Sequence, residues 1–407
     1  MNMRTATHAL AVIFMVACLG AVVSPQPTST QKPRARDIGV PFEGAPGPLN
    51  AITDIAGVEV GHTTLILGEG PLIVGKGPVR TGVTAVLPRG KGSVDIPVFA
   101  GWFSQNGNGE MTGTAWVEES GFLEGPVMIT NTHSVGVVRD AVIRWRVARG
   151  RPDPSGYWWS LPVVAETWDG WLNDINGFHV TAEHAFQALE AAAGGRIAEG
   201  NVGGGTGMIC YGFKGGIGTS SRVIRLGDAA YTVGVLLQAN FGGRSQLTVA
   251  GVPVGREISD SPAYAGLPGA SSDRGSVIVV VGTDAPLLPH QLKRLARRVT
   301  MGLARTGSVS GNGSGDLFIA FSTANSGAYR PVGLTQAQML ANDQLDPIFT
   351  AVVQTTEESV INALVAAETM TGQSSHRAIA LPHDRLRDVL KRYNRLALPE
   401  HHEADVR

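Results

Sequence analysis

The apolar run at residues 277–281 (Val-Ile-Val-Val-Val) constrains the fold most, because it predicts a strand in the protein core. A segment rich in Gly, Pro and Ser, residues 249–275, precedes the run and predicts a flexible linker. The tripeptide Arg274-Gly275-Ser276 lies at the junction. A Gly-Ser step before a strand is ordinary turn chemistry, but a cut at this junction would leave Ser276 as a new N-terminal residue on a rigid strand.

Strands and helices occur on both sides of this junction. The predicted strands lie at residues 58–60, 83–87, 231–237, 277–281 and 317–321, and the predicted helices lie at about 135–147, 181–193, 286–305 and 347–371. Elements of both kinds in both halves of the chain predict one α/β sandwich, with a sheet that runs through both segments.

Composition limits the classes of partner. The chain has 407 residues, of which 43% are hydrophobic and 16% are charged, and this length allows one large core. The formal net charge is −1, so no basic field is available to attract nucleic acid or an anionic membrane surface. The charge balance therefore favours a small, roughly neutral partner and no nucleic acid.

The first 23 residues are typical of an export signal peptide. Arg4 gives a positively charged start, and residues 9–23 form an apolar stretch that is short for a bilayer span. The residues that follow, 24–37, contain a Pro-, Thr-, Ser- and Gln-rich run and predict a disordered linker. We therefore expect a periplasmic or secreted protein, and the alternative is a single membrane anchor.

The chain has two cysteines, Cys18 and Cys210. Met15-Val16-Ala17-Cys18 resembles a degenerate bacterial lipobox, in which Cys18 would carry a lipid anchor. Removal or lipidation of Cys18 leaves Cys210 unpaired, so no disulfide framework is expected in the mature fold. Cys210 is interpreted as a small buried residue.

Neither an organic cofactor nor a metal ion is predicted. Gly70 and Gly75-Lys76 have part of the spacing of a phosphate-binding loop, but Gly77 stands where Ser or Thr would reach Mg²⁺. The glycines at 203–207 do not fit the dinucleotide-binding pattern, and the histidines lack the close spacing of metal ligands. The Gly-x-Ser-x-Gly motif of many serine hydrolases is also missing around the junction serine.

An N-terminal serine would be activated in a different way. A free α-amino group has a pKa of about 8, so it is partly neutral near pH 7 and can act as the base for its own hydroxyl. Glycine at position 275 permits the strained backbone geometry that self-cleavage before Ser276 requires.

Seven segments together carry a pattern that is far more specific than any one of them. They lie at residues 52–62, 130–136, 162–167, 203–218, 238–242, 275–292 and 312–316, the last reading Asn-Gly-Ser-Gly-Asp. In this order they resemble the self-processing L-aminopeptidase/D-esterase family that includes the β-peptidyl aminopeptidases. The resemblance covers about residues 40–380.

The resemblance implies a fold and a processing step. The fold is an αββα four-layer sandwich similar to N-terminal-nucleophile hydrolases, with a different strand connectivity. Cleavage between Gly275 and Ser276 would give an α chain of residues 38–275 and a β chain of residues 276–407. The family also implies a homo-oligomer of αβ units.

The resemblance assigns catalytic roles by position. Ser276 would attack the scissile carbonyl. Ser314 and Asp316, in a loop before the strand at 317–321, would orient it, although an ordinary turn hydrogen bond is the alternative for this pair. Asn240 would donate a hydrogen bond to the tetrahedral oxyanion, and its alternative role is to cap a loop.

Two further positions concern the substrate. Glu166 matches the carboxylate that pairs with the free ammonium group of the substrate, and its alternative is a structural ion pair. Trp168 is interpreted as a wall of the pocket. Some β-peptide-cleaving relatives have Glu where this chain has Asp316, which favours α-amino-acyl substrates.

The sequence therefore predicts a self-cleaving serine aminopeptidase. It would release N-terminal residues from short peptides, amides or esters through an acyl-enzyme on Ser276. Two alternatives stay open. One is an acyltransferase of the ornithine acetyltransferase type, whose nucleophile is typically Thr, and the other is an unprocessed binding protein without catalytic activity.

Overall fold

A computed structural model describes residues 32–149, 159–265, 274–330 and 332–397. Residue contacts divide the chain into two units, Met1–Lys32 and Pro33–Arg407, and only Lys32 of the first is described. The predicted signal peptide at 1–23, with Cys18, therefore lies outside the described residues. Among the residues that are described, no helix is both long and apolar enough to cross a membrane.

The second unit mixes strands and helices along its whole length. Its strands are β1 (Glu59–Leu67), β2 (Val79–Leu87), β3 (Val98–Ser104), β4 (Phe122–Leu123), β5 (Val127–Asn131), β6 (Val163–Thr167), β7 (Ile209–Cys210), β8 (Phe213–Lys214), β9 (Gly216–Leu226), β10 (Ala229–Asn240), β11 (Arg274–Thr283), β12 (Gly313–Ser322), β13 (Met370–Thr371) and β14 (Arg377–Ala378). Its α-helices are α1 (Thr114–Ser120), α2 (Val135–Arg149), α3 (Ala182–Glu190), α4 (Val254–Glu257), α5 (Pro289–Arg305), α6 (Asp346–Ala366) and α7 (His383–Arg392).

Two mixed sheets form the centre of this unit. The smaller sheet has the strand order β1-β2-β5-β6, and the larger has the order β4-β3-β12-β11-β10-β9. Pairing is parallel between β5 and β6 and between β11 and β12, and it is antiparallel between the other neighbours. Helix α5 makes the crossover from β11 to β12, since parallel neighbours cannot be joined by a tight hairpin.

Three groups of buried side chains define four layers. The first group, which includes Ile129 and Ile278, fills the space between the two sheets. The second joins the outer face of the larger sheet to α5 and α6, for example through Leu295. The third joins the outer face of the smaller sheet to α2 and α3, for example through Val138. The resulting order of helix, sheet, sheet and helix confirms the predicted αββα sandwich.

Strand β11 contains the apolar run at 277–281, and both of its faces are buried. Ile278 and Val280 face the smaller sheet, while Val279 packs toward α5 and α6. Alternate residues of a strand point to opposite faces, and burying each of these side chains is worth about 1.5–3 kcal/mol. The strand that carries Ser276 is therefore a central, rigid part of the fold.

The loop predicted before residue 317 is in fact part of a strand. Ser314 and Asp316 lie inside β12, whose pairing with β11 already begins at Gly313. The glycines of this segment suggested a loop, but parallel pairing with β11 extends the strand through them. At the other end of the chain, the helix predicted to reach residue 371 stops at Ala366, so α6 is shorter than predicted.

Much of the predicted linker at 249–275 is packed. Val249, Val252 and Ile258 are no more than 2% exposed, and α4 lies between them. Gly and Pro are frequent in this segment, but its apolar residues anchor it to the core. Residues 266–273 lie outside the described part of the chain.

The packed unit also begins earlier than residue 38. Ala35, which falls in the predicted disordered linker 24–37, is completely buried. The Nε of Arg36 lies 2.8 Å from Oε1 of Glu358, a buried residue of α6. The charged and buried contacts of this turn were not visible in a composition typical of a linker.

Candidate active site

Ser276 lies near the start of β11, between two strands that carry other predicted site residues. Its register partner on β10 is Asn240, and its partner on β12 is Gly315. Only 4% of Ser276 is exposed. The surrounding sheet fixes the residue from both sides, which is how a reactive group is held in one position.

Gly275 occupies a position that no other residue fits. Its φ is +129°, and a Cβ built on it would lie 1.8 Å from the carbonyl oxygen of Asn240. L-residues resist this backbone conformation, and a side chain cannot be placed at that distance. The peptide bond between Gly275 and Ser276 is therefore packed directly against the end of β10.

Two hydrogen bonds fix the side-chain amide of Asn240. Its Oδ1 accepts from the N–H of Ile209 at 2.8 Å, and its Nδ2 donates to the carbonyl of Trp168 at 2.9 Å. An amide nitrogen carries two hydrogens, so one N–H remains for a further acceptor. Asn240 thus has a structural role, and it also presents a donor beside Ser276.

Ser314 and Asp316 form a buried pair on β12. The Oγ of Ser314 donates to Oδ1 of Asp316 at 2.6 Å, and both residues are completely buried. In the parallel register Ser314 is opposite Gly275, and Asp316 is opposite Val277. The pair therefore flanks the position of Ser276 on the neighbouring strand.

The loop after β3 is a part of the site that the sequence did not predict. Asn106 accepts the N–H of Asp316 on its Oδ1 at 2.7 Å and donates to the carbonyl of Gly311 at 3.1 Å. Asn108 donates to the carbonyl of Gly313 at 2.8 Å. These bonds attach the loop to the beginning of β12, next to the strand of Ser276.

The local sequence predicts a turn in this loop, but it does not show which residues the loop contacts. Asn-Gly-Asn-Gly at residues 106–109 is typical of a turn. Its partners are remote in sequence, however: Asn106 and Asp316 are 210 residues apart. The approach is also close, because a Cβ on Gly315 would lie 2.3 Å from the carbonyl oxygen of Asn108.

Glu166, near the end of β6, is a buried carboxylate that is 2% exposed. The hydroxyl of Thr132 donates to its Oε2, and the backbone N–H of Glu110 donates to its Oε1 at 3.0 Å. Burial raises the pKa of Glu166, against the opposing effect of these two hydrogen bonds. A cationic ligand would favour the charged form again, so the position suits an ammonium group. Neither Thr132 nor Glu110 was predicted.

Trp168, predicted as a wall of the pocket, has a partly exposed side chain and contributes its backbone to the site. The residue is 42% exposed, and its indole lies over Gly170, where a Cβ would be 2.7 Å from the ring. Its carbonyl accepts the hydrogen bond from Asn240 described above. The segment from Glu166 to Trp168 therefore connects the carboxylate to the fixed amide.

Gly109, in the loop after β3, lies between β12 and the carboxylate of Glu166. A Cβ on Gly109 would lie 3.1 Å from Cα of Gly315, the register partner of Ser276, and 3.2 Å from Oε1 of Glu166. The structure thus brings the predicted residues of β6, β10, β11 and β12 to one end of the sandwich. Within the described ranges, no three His, Cys, Asp or Glu side chains come together as a metal-ion cluster.

A serine on a central strand, a fixed amide and a buried carboxylate in an αββα sandwich define a class of protein, the serine hydrolases with an N-terminal-nucleophile fold. Comparison with known proteins leads to the same class. The profile of Peptidase family S58 matches residues 50–378, and the chain belongs to this family.

Three relatives illustrate the match. The chain is 56% identical over 379 residues to "Beta-peptidyl aminopeptidase BapA" of Sphingosinicella microcystinivorans, which covers 91% of this chain and 94% of the relative. It is 50% identical over 371 residues to the protein of the same name from Sphingosinicella xenopeptidilytica, with 88% and 91% covered. The solved L-aminopeptidase D-Ala-esterase/amidase of Ochrobactrum anthropi is 49% identical, with a TM-score of 0.83 and coverage of 90% of this chain and 100% of that one.

The chain is therefore a self-processing serine aminopeptidase, as the sequence predicted. The matches favour neither the acyltransferase alternative nor the non-catalytic binding protein.

Proposed function

We propose that Ser276 is the nucleophile and that cleavage of the bond after Gly275 creates it. The register carries this proposal, because Ser276 is directly opposite Asn240 while Gly275 is packed against the same strand. The Oγ of Ser276 attacks the carbonyl carbon of Gly275, the C–N bond breaks, and an ester forms. Water hydrolyses this ester, which leaves a carboxylate on Gly275 and a free amine on Ser276.

The same groups then act on the substrate. The α-amine of Ser276 accepts the hydroxyl proton, and Oγ attacks the scissile carbonyl. The remaining N–H of Asn240 stabilises the oxyanion, and loss of one such donor typically costs ~3–4 kcal/mol. The proton passes to the leaving amine, and water hydrolyses the acyl-enzyme. Ser314 and Asp316 hold the nucleophile from the neighbouring strand.

Glu166 gives the enzyme its preference for a free amino terminus. Its two donors, Thr132 and the backbone of Glu110, are neutral. A substrate ammonium group would supply the positive charge that a buried carboxylate requires. An acylated amino terminus carries no charge and cannot do so, which separates an aminopeptidase from an endopeptidase.

Ser276→Ala tests the proposal for the nucleophile. The wild-type protein should give two bands on a denaturing gel, and the N-terminal sequence of the smaller one should begin at Ser276. Ser276→Ala should remain a single chain without hydrolytic activity. Ser322→Ala is the matched control, since Ser322 is a fully buried serine at the other end of β12, and this variant should still be cleaved. Cleavage of Ser276→Ala at the same bond would overturn the proposal.

We propose β-amino-acyl compounds as the preferred substrates. The two relatives at 56% and 50% identity are both named as β-peptidyl aminopeptidases. Their identity extends over nine-tenths of the chain and outweighs the single position, Asp316, that favoured α-amino-acyl substrates. Small peptides and amino-acyl amides of this class fit a site whose anchor is one buried carboxylate.

A panel of p-nitroanilides tests the substrate class. kcat/KM should be at least about tenfold higher for the β-homoalanyl compound than for the L-alanyl and D-alanyl compounds, a difference of about 1.4 kcal/mol in transition-state binding. N-acetylation of the best substrate should abolish turnover. A higher kcat/KM for L-alanyl p-nitroanilide would show instead that the enzyme prefers α-amino acids.

We propose that the protein is exported to the periplasm or secreted. The support is the sequence of residues 1–23, with its positive start and short apolar stretch. Mass spectrometry of the mature protein should find an N-terminus after residue 23, or a lipid on Cys18 if the lipobox is used. Recovery of unprocessed protein in the cytoplasmic fraction would contradict export.

We propose that the αβ units form a homo-oligomer. Leu67, Ile73 and Val74, at the turn between β1 and β2, are 59%, 52% and 60% exposed. Exposed apolar groups clustered on one turn favour contact with another protein surface. Light scattering coupled to size exclusion should give a mass several times that of one αβ unit, and the mass of a single unit would contradict this proposal.

A further inference from the structure

Asp169 is a buried carboxyl beside the site for which the mechanism has no role. It follows Trp168 in the turn after β6, and its carbonyl accepts from the N–H groups of Leu172 and Asn173, both at 3.1 Å. The residue is completely buried. Its Oδ1 accepts from Nδ2 of Asn173 at 3.0 Å, whereas none of the described residues donates a hydrogen bond to Oδ2.

Neighbouring elements pack closely around Asp169. A Cβ on Gly207 would lie 2.8 Å from Cβ of Asp169, so the loop before β7 packs tightly on it. Asn131, at the end of β5, donates to Oγ1 of Thr81 at 2.8 Å. Both side chains lower the pKa of the Asp169 carboxyl, against the effect of burial. The side chain is thus enclosed between β2, β5 and this loop.

This enclosure fixes the peptide unit that orients Asn240. The carbonyl of Trp168 and the N–H of Asp169 belong to one planar peptide unit. That carbonyl is the acceptor for Nδ2 of Asn240 at 2.9 Å. Because Asp169 anchors one end of the unit, it sets the direction of the carbonyl at the other end and, through it, the direction of the Asn240 amide.

The carboxyl of Asp169 changes its protonation state near neutral pH. Burial raises its pKa to about 7, although Thr81, Asn173 and Asn131 lower it. The elements around Asp169 also carry charged residues, namely Arg80 of β2, Glu166 of β6, Asp174 of the same turn and Lys214 of β8. Each of these forms hydrogen bonds with partners other than Asp169. Ionisation of Asp169 would therefore place a buried negative charge close to a site that must stabilise another one.

We propose that Asp169 is a positioning residue of the oxyanion site, which in its neutral form holds the Trp168 peptide for Asn240 and in its ionised form weakens oxyanion stabilisation. This inference rests on the proposed role of Asn240. It assigns to the turn after β6 a second function, in addition to carrying the residues that line the pocket.

The test compares Asp169→Asn with the wild type as a function of pH. Asparagine keeps the shape of the neutral carboxyl but cannot ionise. The ratio of kcat/KM of Asp169→Asn to that of wild type should rise roughly three- to tenfold between pH 6 and pH 8.5, with its midpoint near pH 7. kcat/KM reports the ionisations of the free enzyme, and those of Ser276 and Glu166 cancel in the ratio.

A purely structural role would change the ratio equally at every pH. Leu172→Ala is the control, because Leu172 is a completely buried residue of the same turn that cannot ionise. Its ratio to wild type should not vary with pH. A flat ratio for Asp169→Asn, in a wild type that is active, would overturn the inference; an inactive wild type would instead contradict the proposed function.

Asn173→Ala keeps the inference testable if Asp169→Asn does not fold or cleave itself. This variant removes the donor to Oδ1 of Asp169, which stabilises the ionised form. The midpoint should therefore move to higher pH, and the ratio of kcat/KM of Asn173→Ala to that of wild type should rise between pH 7 and pH 8. A ratio that falls in this interval would contradict the inference.

Discussion

At the scale of single residues, Gly275 is constrained twice, by its backbone conformation and by its contact with Asn240. Gly275→Ala should slow self-cleavage by at least about tenfold, since the left-handed conformation alone costs an L-residue about 1–2 kcal/mol. The new Cβ, 1.8 Å from the Asn240 carbonyl, would in addition push the scissile bond away from β10. The uncleaved fraction on a denaturing gel during expression measures the effect.

Gly251→Ala separates the two constraints on Gly275. Gly251 has a φ of +79°, but a Cβ on it would meet nothing within 4 Å. This control carries the conformational cost without the clash, so it should lower stability slightly and leave cleavage unchanged. Complete and rapid cleavage of Gly275→Ala would mean that the close contact with Asn240 does not position the bond.

The residue scale also shows what the sequence could predict about the site. Ser276, Asn240 and Glu166 belong to segments that resemble a known family, and they lie together in the structure. Asn106 lies outside those segments. Thr132 lies inside one of them, residues 130–136, but its residue type does not show that its hydroxyl reaches the Glu166 carboxylate after folding. The role of a backbone carbonyl, such as that of residue 168, cannot be predicted from residue types, because every residue has one.

At the scale of elements, strands that are apolar along their whole length were predictable, and the ends of elements were not. The run at 277–281 has no polar position, so its burial on both faces follows from its composition. The polar start of β12 reads as a loop because it contains Gly313 and Gly315. Pairing with β11 decides its conformation, and a partner strand is not visible in local sequence.

Ion pairs of Glu358 hold helix α6 to the packed N-terminal turn, through Arg36, and to β9, through Arg222. Glu358 of α6 is completely buried, and Nη2 of Arg222 lies 2.6 Å from its Oε2. Burial alone would raise the pKa of Glu358, but hydrogen bonds and charge from Arg36 and Arg222 together lower it. Arg222→Met should therefore lower the free energy of unfolding by about 3 kcal/mol, because it leaves a buried carboxylate with an incomplete set of partners.

Urea unfolding of Arg222→Met against Arg144→Met checks this prediction. Arg144 pairs with Asp140 at 2.7 Å, but the two side chains are 65% and 53% exposed. Such a pair contributes about 0.5 kcal/mol or less. Equal urea midpoints for the two variants would show that the ion pair of Arg222 with Glu358 does not stabilise the fold.

At the scale of the whole molecule, the four layers enclose titratable groups whose effects on stability have opposite signs. Asp169 has its pKa raised from 3.8 to about 7 by burial. The folded state then binds more protons than the unfolded state between these values, and stability falls as pH rises through this window. His62 of β1 has its pKa lowered from 6.5 to about 4 by burial, so stability falls as pH drops from 6.5 toward 4.

These two contributions have opposite slopes between pH 4 and pH 6.5, and single variants compared with the wild type should reveal them. Each slope is at most about 1.4 kcal/mol per pH unit. The Nε2 of His62 is enclosed, and Nδ1 lies 3.0 Å from Oγ1 of Thr84, so His62→Gln keeps a polar group there without titration. Relative to the wild type, its stability should decrease with rising pH in this range, whereas that of Asp169→Asn should increase. Thermal melts at half-unit steps from pH 4 to pH 8 measure both slopes, and parallel curves for the two variants would show that neither group titrates as its burial requires.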